Sequence, residues 1–165
     1  MGIQITVIGS SGQISPEIQL LAEQVGAEVA KSGAILVTGG RDGVMEAASR
    51  GARKFKGTTV GILPEENELG ANPYIEIKIP TGIGYARNYI NILSSNAIIS
   101  IAGSGGTLSE IGFAIALQKL LILMQGTGGV TDMIVEHQSL FPNAPIYSAK
   151  TSQEAVNLIL RKIQE

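Results

Sequence analysis

The sequence predicts an α/β fold of the doubly wound, Rossmann-like type, in which a mostly parallel β-sheet lies between two layers of helices. Short β-branched runs alternate with longer stretches of helical period along the 165 residues, which is typical of repeated strand–helix units. The chain contains 21 glycines, and glycine-rich turns follow four of the predicted strands. Because no linker or internal repeat interrupts this pattern, we expect one domain spanning residues 1–165.

The first strand and helix have clear boundary signals. Residues Ile3–Gly9 form a β-branched run that ends in Gly-Ser-Ser-Gly. Ser15 is suited to cap the next helix, since Pro16 stands at its first position and Glu17 in its first turn. We expect this helix to end near Ser32.

The later elements continue the alternation. Ala34–Val37 is a short, apolar strand, and Thr38–Ala52 combines a glycine turn with a helix. Tyr74–Ile79 alternates apolar and polar residues, which predicts a strand near the edge of the sheet. The remaining predicted elements are the strand Thr58–Leu63, the loop Pro64–Asn72, the helix Tyr85–Ser94, the strand Ala97–Ala102, the helix Gly105–Gln118, the strand Leu120–Met124, the helix Val130–Glu136, the strand Pro145–Tyr147 and the helix Ser152–Ile163.

Composition excludes several classes of function. The chain has no cysteine and one histidine, His137, which argues against disulfides, thiolate zinc sites and histidine-based metal sites. We therefore expect no metal and no required cofactor, with a carboxylate-bound magnesium ion as the open alternative. The net charge of −2, without a lysine or arginine run, argues against general nucleic-acid binding. The absence of a leader pattern and of a long apolar run predicts a cytoplasmic protein with no membrane partner.

Four glycine turns are expected at the carboxyl ends of strands, where open α/β sheets bind ligands. These are Gly9–Gly12, Gly39–Gly43, Gly103–Gly106 and Gly126–Gly129. Side by side they would form a rim of free amides and helix N-termini suited to phosphate, although glycine also serves sharp turns with no ligand. The candidate phosphate-binding residues are Gly9, Ser10, Ser11, Gly39, Gly40, Arg41, Gly103, Ser104, Gly105, Gly106 and Thr107.

The common phosphate and hydrolase motifs are missing. The first strand is followed by Gly9-x-x-Gly12 and not by G-x-G-x-x-G, which argues against a standard NAD site. The sequence G-x-x-x-x-G-K-[ST] does not occur, which argues against a P-loop NTPase. Ser104 does not fit G-x-S-x-G, so a hydrolase elbow is also excluded.

Glu110 has two interpretations. With Thr107 it fits the T-x-x-E capping box of a helix start. Alternatively it acts on a bound ligand, and the helix dipole would then favour its charged form, making it a base or a stabiliser of a cation and not a general acid. Arg41 and Arg87 are candidates to bind the same phosphate. The alternatives for Arg87 are a pair with Glu110 or a surface ion pair, and the alternative for Arg41 is a solvated position beside Asp42.

The segment Ala102–Glu110 resembles P-G-G-x-G-T-x-x-E, the signature of the family often labelled "lysine decarboxylase-like". This family includes the LONELY GUY (LOG) cytokinin-activating hydrolases and the molybdenum-cofactor carrier proteins of algae, and it is related to DprA. Gly39–Ala52 is similar to its G-G-x-x-G-x-M helix start, and Gly61–Pro64 also matches. Arg87 lies 23 positions before Glu110, as in the family's arginine–glutamate pair.

The resemblance implies binding of a nucleoside 5′-monophosphate or a similar phosphorylated heterocycle. In a LOG-like enzyme the N-glycosidic bond would be hydrolysed to free base and ribose 5-phosphate, with Glu110 and Arg87 as catalytic residues. The alternative is a non-catalytic carrier of a phosphorylated cofactor such as molybdenum cofactor. Ala102 and Ser104 depart from the motif, and the overall pattern resembles the carrier-like branch more closely. No lysine has a setting for pyridoxal chemistry, so a lysine decarboxylase is excluded.

Self-association is a further expectation. The predicted helix is apolar nearly all round over Ile111–Leu117, which indicates burial on two sides. One side would face a second subunit, giving a homodimer or a larger homo-oligomer, unless it packs between the sheet and another helix. Tyr74, Tyr85 and Tyr89 are candidates to stack on a heterocycle, with ordinary packing as the alternative.

Overall fold

The seven strands form one parallel sheet in a computed structural model that describes residues 2–165. In chain order the strands are β1 (Gln4–Gly9), β2 (Ile35–Thr38), β3 (Thr59–Leu63), β4 (Ile77–Pro80), β5 (Ala97–Ile101), β6 (Leu120–Met124) and β7 (Ile146–Ala149). The helices are α1 (Pro16–Lys31), α2 (Val44–Lys54), α3 (Arg87–Leu93), α4 (Gly105–Ala116), α5 (Gly129–Glu136) and α6 (Ser152–Gln164), with short 3₁₀ helices at Gly84–Ala86 and Gln138–Leu140.

The order of strands in the sheet is β4-β3-β2-β1-β5-β6-β7, and every neighbouring pair is parallel. The chain moves outward from β1 to β4 and then returns to place β5 against the other side of β1, with Val7 opposite Ile99. The predicted doubly wound fold is therefore confirmed, and the point where the strand order reverses lies between β1 and β5.

The two faces of the sheet carry separate hydrophobic clusters because side chains alternate along each strand. On one face Ile5, Val7 and Leu36 pack with apolar residues of α1, α2 and α6. On the other face Ile8 and Ile98 pack with residues of α3, α4 and α5. Each face is covered by three helices, which produces the predicted three-layer arrangement.

Most predicted boundaries lie within two or three residues of the observed ones. Ser15 caps α1 as expected, and its Oγ accepts a hydrogen bond from the Ile18 amide at 3.3 Å. The predicted edge strand Tyr74–Ile79 is observed at the edge but begins only at Ile77, since the chain pairs with β3 from that residue onward. No helix within residues 2–165 is long and apolar enough to cross a membrane.

Helices α1 and α2 cross with their backbones in contact. A Cβ atom at Gly26 would overlap the carbonyl oxygen of Ala48, and one at Gly51 would overlap that of Glu23. The Glu23 side chain also accepts a hydrogen bond from Nε of Arg50 at 2.8 Å. The crossing fixes α2 against α1, and α2 begins directly after the second glycine turn.

Candidate functional site

A cavity of about 420 Å³ opens where the strand order reverses, at the carboxyl ends of β1, β2 and β5. Three of the four glycine turns contribute to its wall, together with residues of α3 and α4. The predicted site residues that line it are Gly9, Ser11, Gly39, Arg41, Arg87, Ser104, Gly106, Thr107 and Glu110. The fold therefore brings most of the predicted set to one place.

Four of the predicted residues, Ser10, Gly40, Gly103 and Gly105, do not line the cavity. The Ser10 side chain accepts a hydrogen bond from the Gly103 amide at 2.8 Å and so joins the first glycine turn to the third. Gly40 faces β3 instead, and its amide donates to Oγ1 of Thr38 at 3.0 Å. Gly105 begins α4 and is not part of the cavity wall. These residues shape the loops whose neighbours face the cavity.

The fourth glycine turn, Gly126–Gly129, does not line the cavity, which corrects the expectation of a four-turn rim. Its Gly126 and Gly128 amides donate to the Asp132 carboxylate at 2.8 and 2.7 Å. This turn follows β6, which is one strand away from the point of reversal. Gly129 packs directly against the Gly103 carbonyl, so the turn supports the third glycine turn from behind.

The N-terminus of α4 carries free backbone amides. The Ser104 side chain stands at the N-cap but accepts no capping hydrogen bond. Within residues 2–165 the amides of Gly105, Gly106 and Thr107 have no protein acceptor. Free amides at a helix N-terminus, reinforced by the helix dipole, favour phosphate oxygens.

The predicted capping box is wrong because it requires Thr107 at the N-cap, whereas α4 begins at Gly105, as predicted, and has Ser104 at the N-cap. Ala102 and Gly103 adopt positive φ values of 52° and 95°, and this turn starts the helix at Gly105. Thr107 is therefore inside the helix and Glu110 lies in its second turn. Glu110 is only 7% exposed, and its Oε1 accepts a hydrogen bond from Nδ2 of Asn91 at 2.8 Å.

Burial raises the pKa of Glu110 to about 7, against the opposing influence of the Asn91 hydrogen bond and the positive charge of Arg87. The predicted preference of Glu110 for its charged form is therefore wrong. The reason is that desolvation in the cavity wall exceeds these stabilising interactions. A carboxyl group that titrates near neutral pH is suited to gain or lose a proton during binding or reaction.

Arg87 is buried, with 8% exposure, and its guanidinium lies against Gly39. Among residues 2–165 it forms no ion pair, and its Nε has no hydrogen-bond partner. The suggested bidentate pair with Glu110 and the suggested surface ion pair are therefore both absent from the described chain. Burial lowers the pKa of Arg87. An anionic ligand would supply the partners that this guanidinium lacks.

The cavity mouth is formed by more exposed side chains. Arg41 pairs with Glu65, and its side chain stays partly exposed to solvent. Oδ1 of Asp42 accepts from the Gly12 amide at 2.9 Å, which links the first two glycine turns. Of the three tyrosines considered, only Tyr85 lines the cavity, whereas Tyr89 packs edge-on against Phe113 and Tyr74 lies beside Arg50.

Asn88 and Asn91 were missed by the sequence analysis. Asn88 lines the cavity, and Asn91 contacts Glu110. The available signal was helical spacing, because Arg87 and Asn91 are four residues apart and so share one face of a short helix. Within residues 2–165 no group of three or more His, Cys, Asp or Glu side chains is placed to hold a metal ion.

Replacing Gly39 with alanine is expected to displace the Arg87 guanidinium and to weaken the binding of a phosphate monoester about tenfold, the loss of one charge-assisted hydrogen bond. Gly39 lies outside the left-handed φ range, so the backbone accepts alanine. Calorimetric titration with adenosine 5′-monophosphate measures the effect. Gly39→Ala and Arg87→Gln act on the same guanidinium, so the double variant should lose little more affinity than Arg87→Gln alone. Additive losses of binding free energy would contradict this explanation.

Comparisons with known proteins identify a family and several similar solved structures. The model of the SLOG cluster4 family matches residues 2–156. The molybdenum cofactor binding protein of Rippkaea orientalis is 37% identical, with a TM-score of 0.91 and coverage of 99% of this chain and 98% of that one. The molybdenum cofactor carrier protein of Chlamydomonas reinhardtii is 31% identical, with a TM-score of 0.86 and 99% of both chains covered.

More distant likenesses extend to two other kinds of protein. A cytokinin riboside 5′-monophosphate phosphoribohydrolase of Mycobacterium marinum is 33% identical over 111 residues, which are 65% of this chain and 59% of that protein. DNA processing protein A of Helicobacter pylori is 20% identical with a TM-score of 0.73, covering 97% of this chain and 81% of that one, and shares the fold. The family model and the partial match to the Mycobacterium protein confirm the predicted relationship to the LOG-related superfamily, whereas the likeness to DNA processing protein A is one of fold alone.

Proposed function

This chain belongs to the SLOG cluster4 family, and from that premise we propose that it binds and carries a phosphorylated heterocyclic cofactor of the molybdenum cofactor type without transforming it. The observation that carries the proposal is one cavity that combines the free amides of α4 with an unpaired, buried Arg87. The similarity to the Rippkaea and Chlamydomonas proteins supports the same ligand class.

The two ends of the ligand would meet different surfaces. Its phosphate would accept hydrogen bonds from the Gly106 and Thr107 amides and from Arg87. Its ring system would extend past Met45 toward Tyr85 at the mouth. A cavity of about 420 Å³ is within the range of small-molecule sites, about 300–1,000 Å³.

A second candidate function is hydrolysis of a nucleoside 5′-monophosphate. It is favoured by the near-neutral pKa of Glu110, about 7, and by the likeness to the Mycobacterium enzyme. Water would add to C1′ as the bond to the base breaks, and the base would leave with a proton. The ionised Glu110 would stabilise the positive charge that develops on the ribose and orient the water, while Arg87 holds the phosphate.

The deciding experiment begins with the ligand that the purified protein retains. If the carrier function is correct, native mass spectrometry should show the protein with a bound ligand. Mass spectrometry of the small molecule released on denaturation should identify a phosphorylated pterin. Incubation with a panel of nucleoside 5′-monophosphates, followed by chromatography for free bases, should then show none. Release of a base would favour the hydrolase. Failure to retain or bind any phosphorylated heterocycle would overturn both functions.

We also propose that the protein is a homodimer formed through the outer face of α3 and α4. Tyr85, Tyr89 and Leu93 of the α3 region and Leu108 of α4 are exposed. The two charged residues of α3 and α4, Arg87 and Glu110, are both buried. Such an apolar patch indicates an interaction surface. Light scattering should give twice the mass of one chain, and Leu93→Glu should reduce it to one. A monomer from the unmodified protein at micromolar concentration would contradict the proposal.

A further inference from the structure

We infer that Asn91 is a positioning residue for Glu110, with a side-chain amide that serves the carboxylate through Nδ2 and, after turning over, the carboxylic acid through Oδ1. The inference deepens the proposed function, on which it rests, because Glu110 faces the cavity assigned to the ligand. It states how one glutamate is held in place in both protonation states.

The first support is an unexplained polar atom. Asn91 is fully buried, and its Nδ2 donates to Oε1 of Glu110 at 2.8 Å. Its Oδ1 is also buried and has no hydrogen-bond partner. A buried acceptor without a partner has a free-energy cost, so such an atom requires an explanation. A protonated Glu110 would donate to this oxygen once the amide had turned over.

The second support is the rigid placement of the Asn91 backbone. Its carbonyl oxygen accepts hydrogen bonds from Oγ1 of Thr6 at 3.1 Å and from Oγ of Ser94 and Ser95, each at 3.0 Å. These bonds tie α3 to β1 at the point where the side chain projects toward Glu110. The backbone therefore stays fixed, and only rotation of the terminal amide is needed to change donor into acceptor.

The third support is the charge balance around Glu110. Arg87, one helical turn before Asn91, is the charged group that acts on Glu110 from α3. Arg41 and Glu65 act in turn on Arg87. Between them, Arg87 and Asn91 stabilise the carboxylate, whereas burial favours the acid. The two forms are therefore close in free energy near neutral pH, and a group that accommodates both is useful there.

The test is a titration of the ligand-free protein by NMR. With ¹³C-labelled glutamate carboxyl groups, Glu110 is assigned by its loss in Glu110→Gln and should titrate with a midpoint at about 7. The side-chain ¹⁵N resonance of Asn91 should move with the same midpoint, and this movement should vanish in Glu110→Gln. An Asn91 resonance that does not shift with the titration of Glu110 would overturn the inference. This arm of the test requires no substitution of Asn91.

Asn91→Leu provides the second arm. Removal of the donor should raise the Glu110 midpoint by about one pH unit, since the hydrogen bond to the charged form is about twice as strong as that to the neutral form. Asn157→Leu is the control, because Asn157 is exposed on α6 and does not line the cavity, and this variant should leave the Glu110 midpoint unchanged. An unshifted midpoint in folded Asn91→Leu would refute the inference.

These outcomes are independent of the ligand experiments. The titrations use protein without ligand, so a normal Asn91 response combined with no binding of phosphorylated heterocycles would overturn the proposed function alone. Binding of such a ligand combined with an Asn91 that ignores Glu110 would overturn the inference alone.

Discussion

Glu110→Gln is expected to stabilise the folded protein by about 3 kcal/mol at pH 8 and by only about 1 kcal/mol at pH 5. The buried carboxyl has its pKa raised from the ordinary 4.5 to about 7. Between these two values the folded protein keeps a proton that the unfolded chain has released. The contribution of this retained proton to the free energy of unfolding is therefore complete below pH 4.5 and is lost as the pH rises through 7.

Glutamine at position 110 removes this loss of stability because its side chain is neutral at every pH. Its side-chain carbonyl can still accept a hydrogen bond from Asn91. Urea denaturation of both proteins at pH 5, 6, 7 and 8 measures the difference. Glu136→Gln, at an exposed position, is the control and should change stability by less than about 0.5 kcal/mol throughout. A pH-independent difference for Glu110→Gln would contradict the buried, near-neutral carboxyl.

The same variant also separates the two candidate functions. In a carrier, Glu110→Gln should still bind its phosphorylated ligand, since the amides of α4 and Arg87 remain. In a hydrolase, it should bind nucleotide but release no base, because a neutral amide cannot stabilise the developing cation. Unchanged base release would remove Glu110 from the reaction.

Gly26→Ala is expected to destabilise the protein by about 3 kcal/mol, the upper part of the usual range for overpacking. A methyl group at this position would overlap the Ala48 carbonyl of the facing helix, and backbone atoms have little freedom to move away. Urea denaturation measures the loss. The helices α1 and α2 would have to move apart at their crossing. The loop that precedes α2 would then shift as well.

Gln24→Ala is the matched control for this prediction. Gln24 is exposed on the same helix, so the change introduces the same residue without a contact, and stability should remain within about 0.5 kcal/mol. Equal stabilities for the two alanine variants would show that the helices have room to separate.

The alternation of β-branched runs and helical period predicted all seven strands because that pattern is local. The order of the strands is not local. The sequence places Gly126–Gly129 at the end of a strand like the other three glycine turns, but only the folded sheet shows that β6 is removed from the point of reversal. The turn is therefore too far from the cavity to line it.

In the candidate site, too, local sequence patterns predicted some features, whereas others depend on the folded structure. The family motif pointed to Glu110 and the glycine turns to candidate phosphate-binding residues, and the fold places Glu110 and most of these candidates in one cavity. The capping interpretation failed because a helix that begins at Gly105, as predicted, places Thr107 inside the helix and not at its N-cap. The protonation of Glu110 could not be predicted because it depends on burial, which the sequence does not show. Asn91 was missed because its importance comes from the phase of α3 relative to α4.

The left-handed conformation of Ala102 limits how far segments can be exchanged between relatives. Ala102 occupies the position where the P-G-G-x-G-T-x-x-E motif has proline, and proline is locked near φ −65°, whereas Ala102 has a φ of 52°. The proline version of the loop must follow a different backbone path. Grafting that motif into this chain would consequently rebuild the loop instead of replacing its side chains, and Ala102→Gly would be the compatible change.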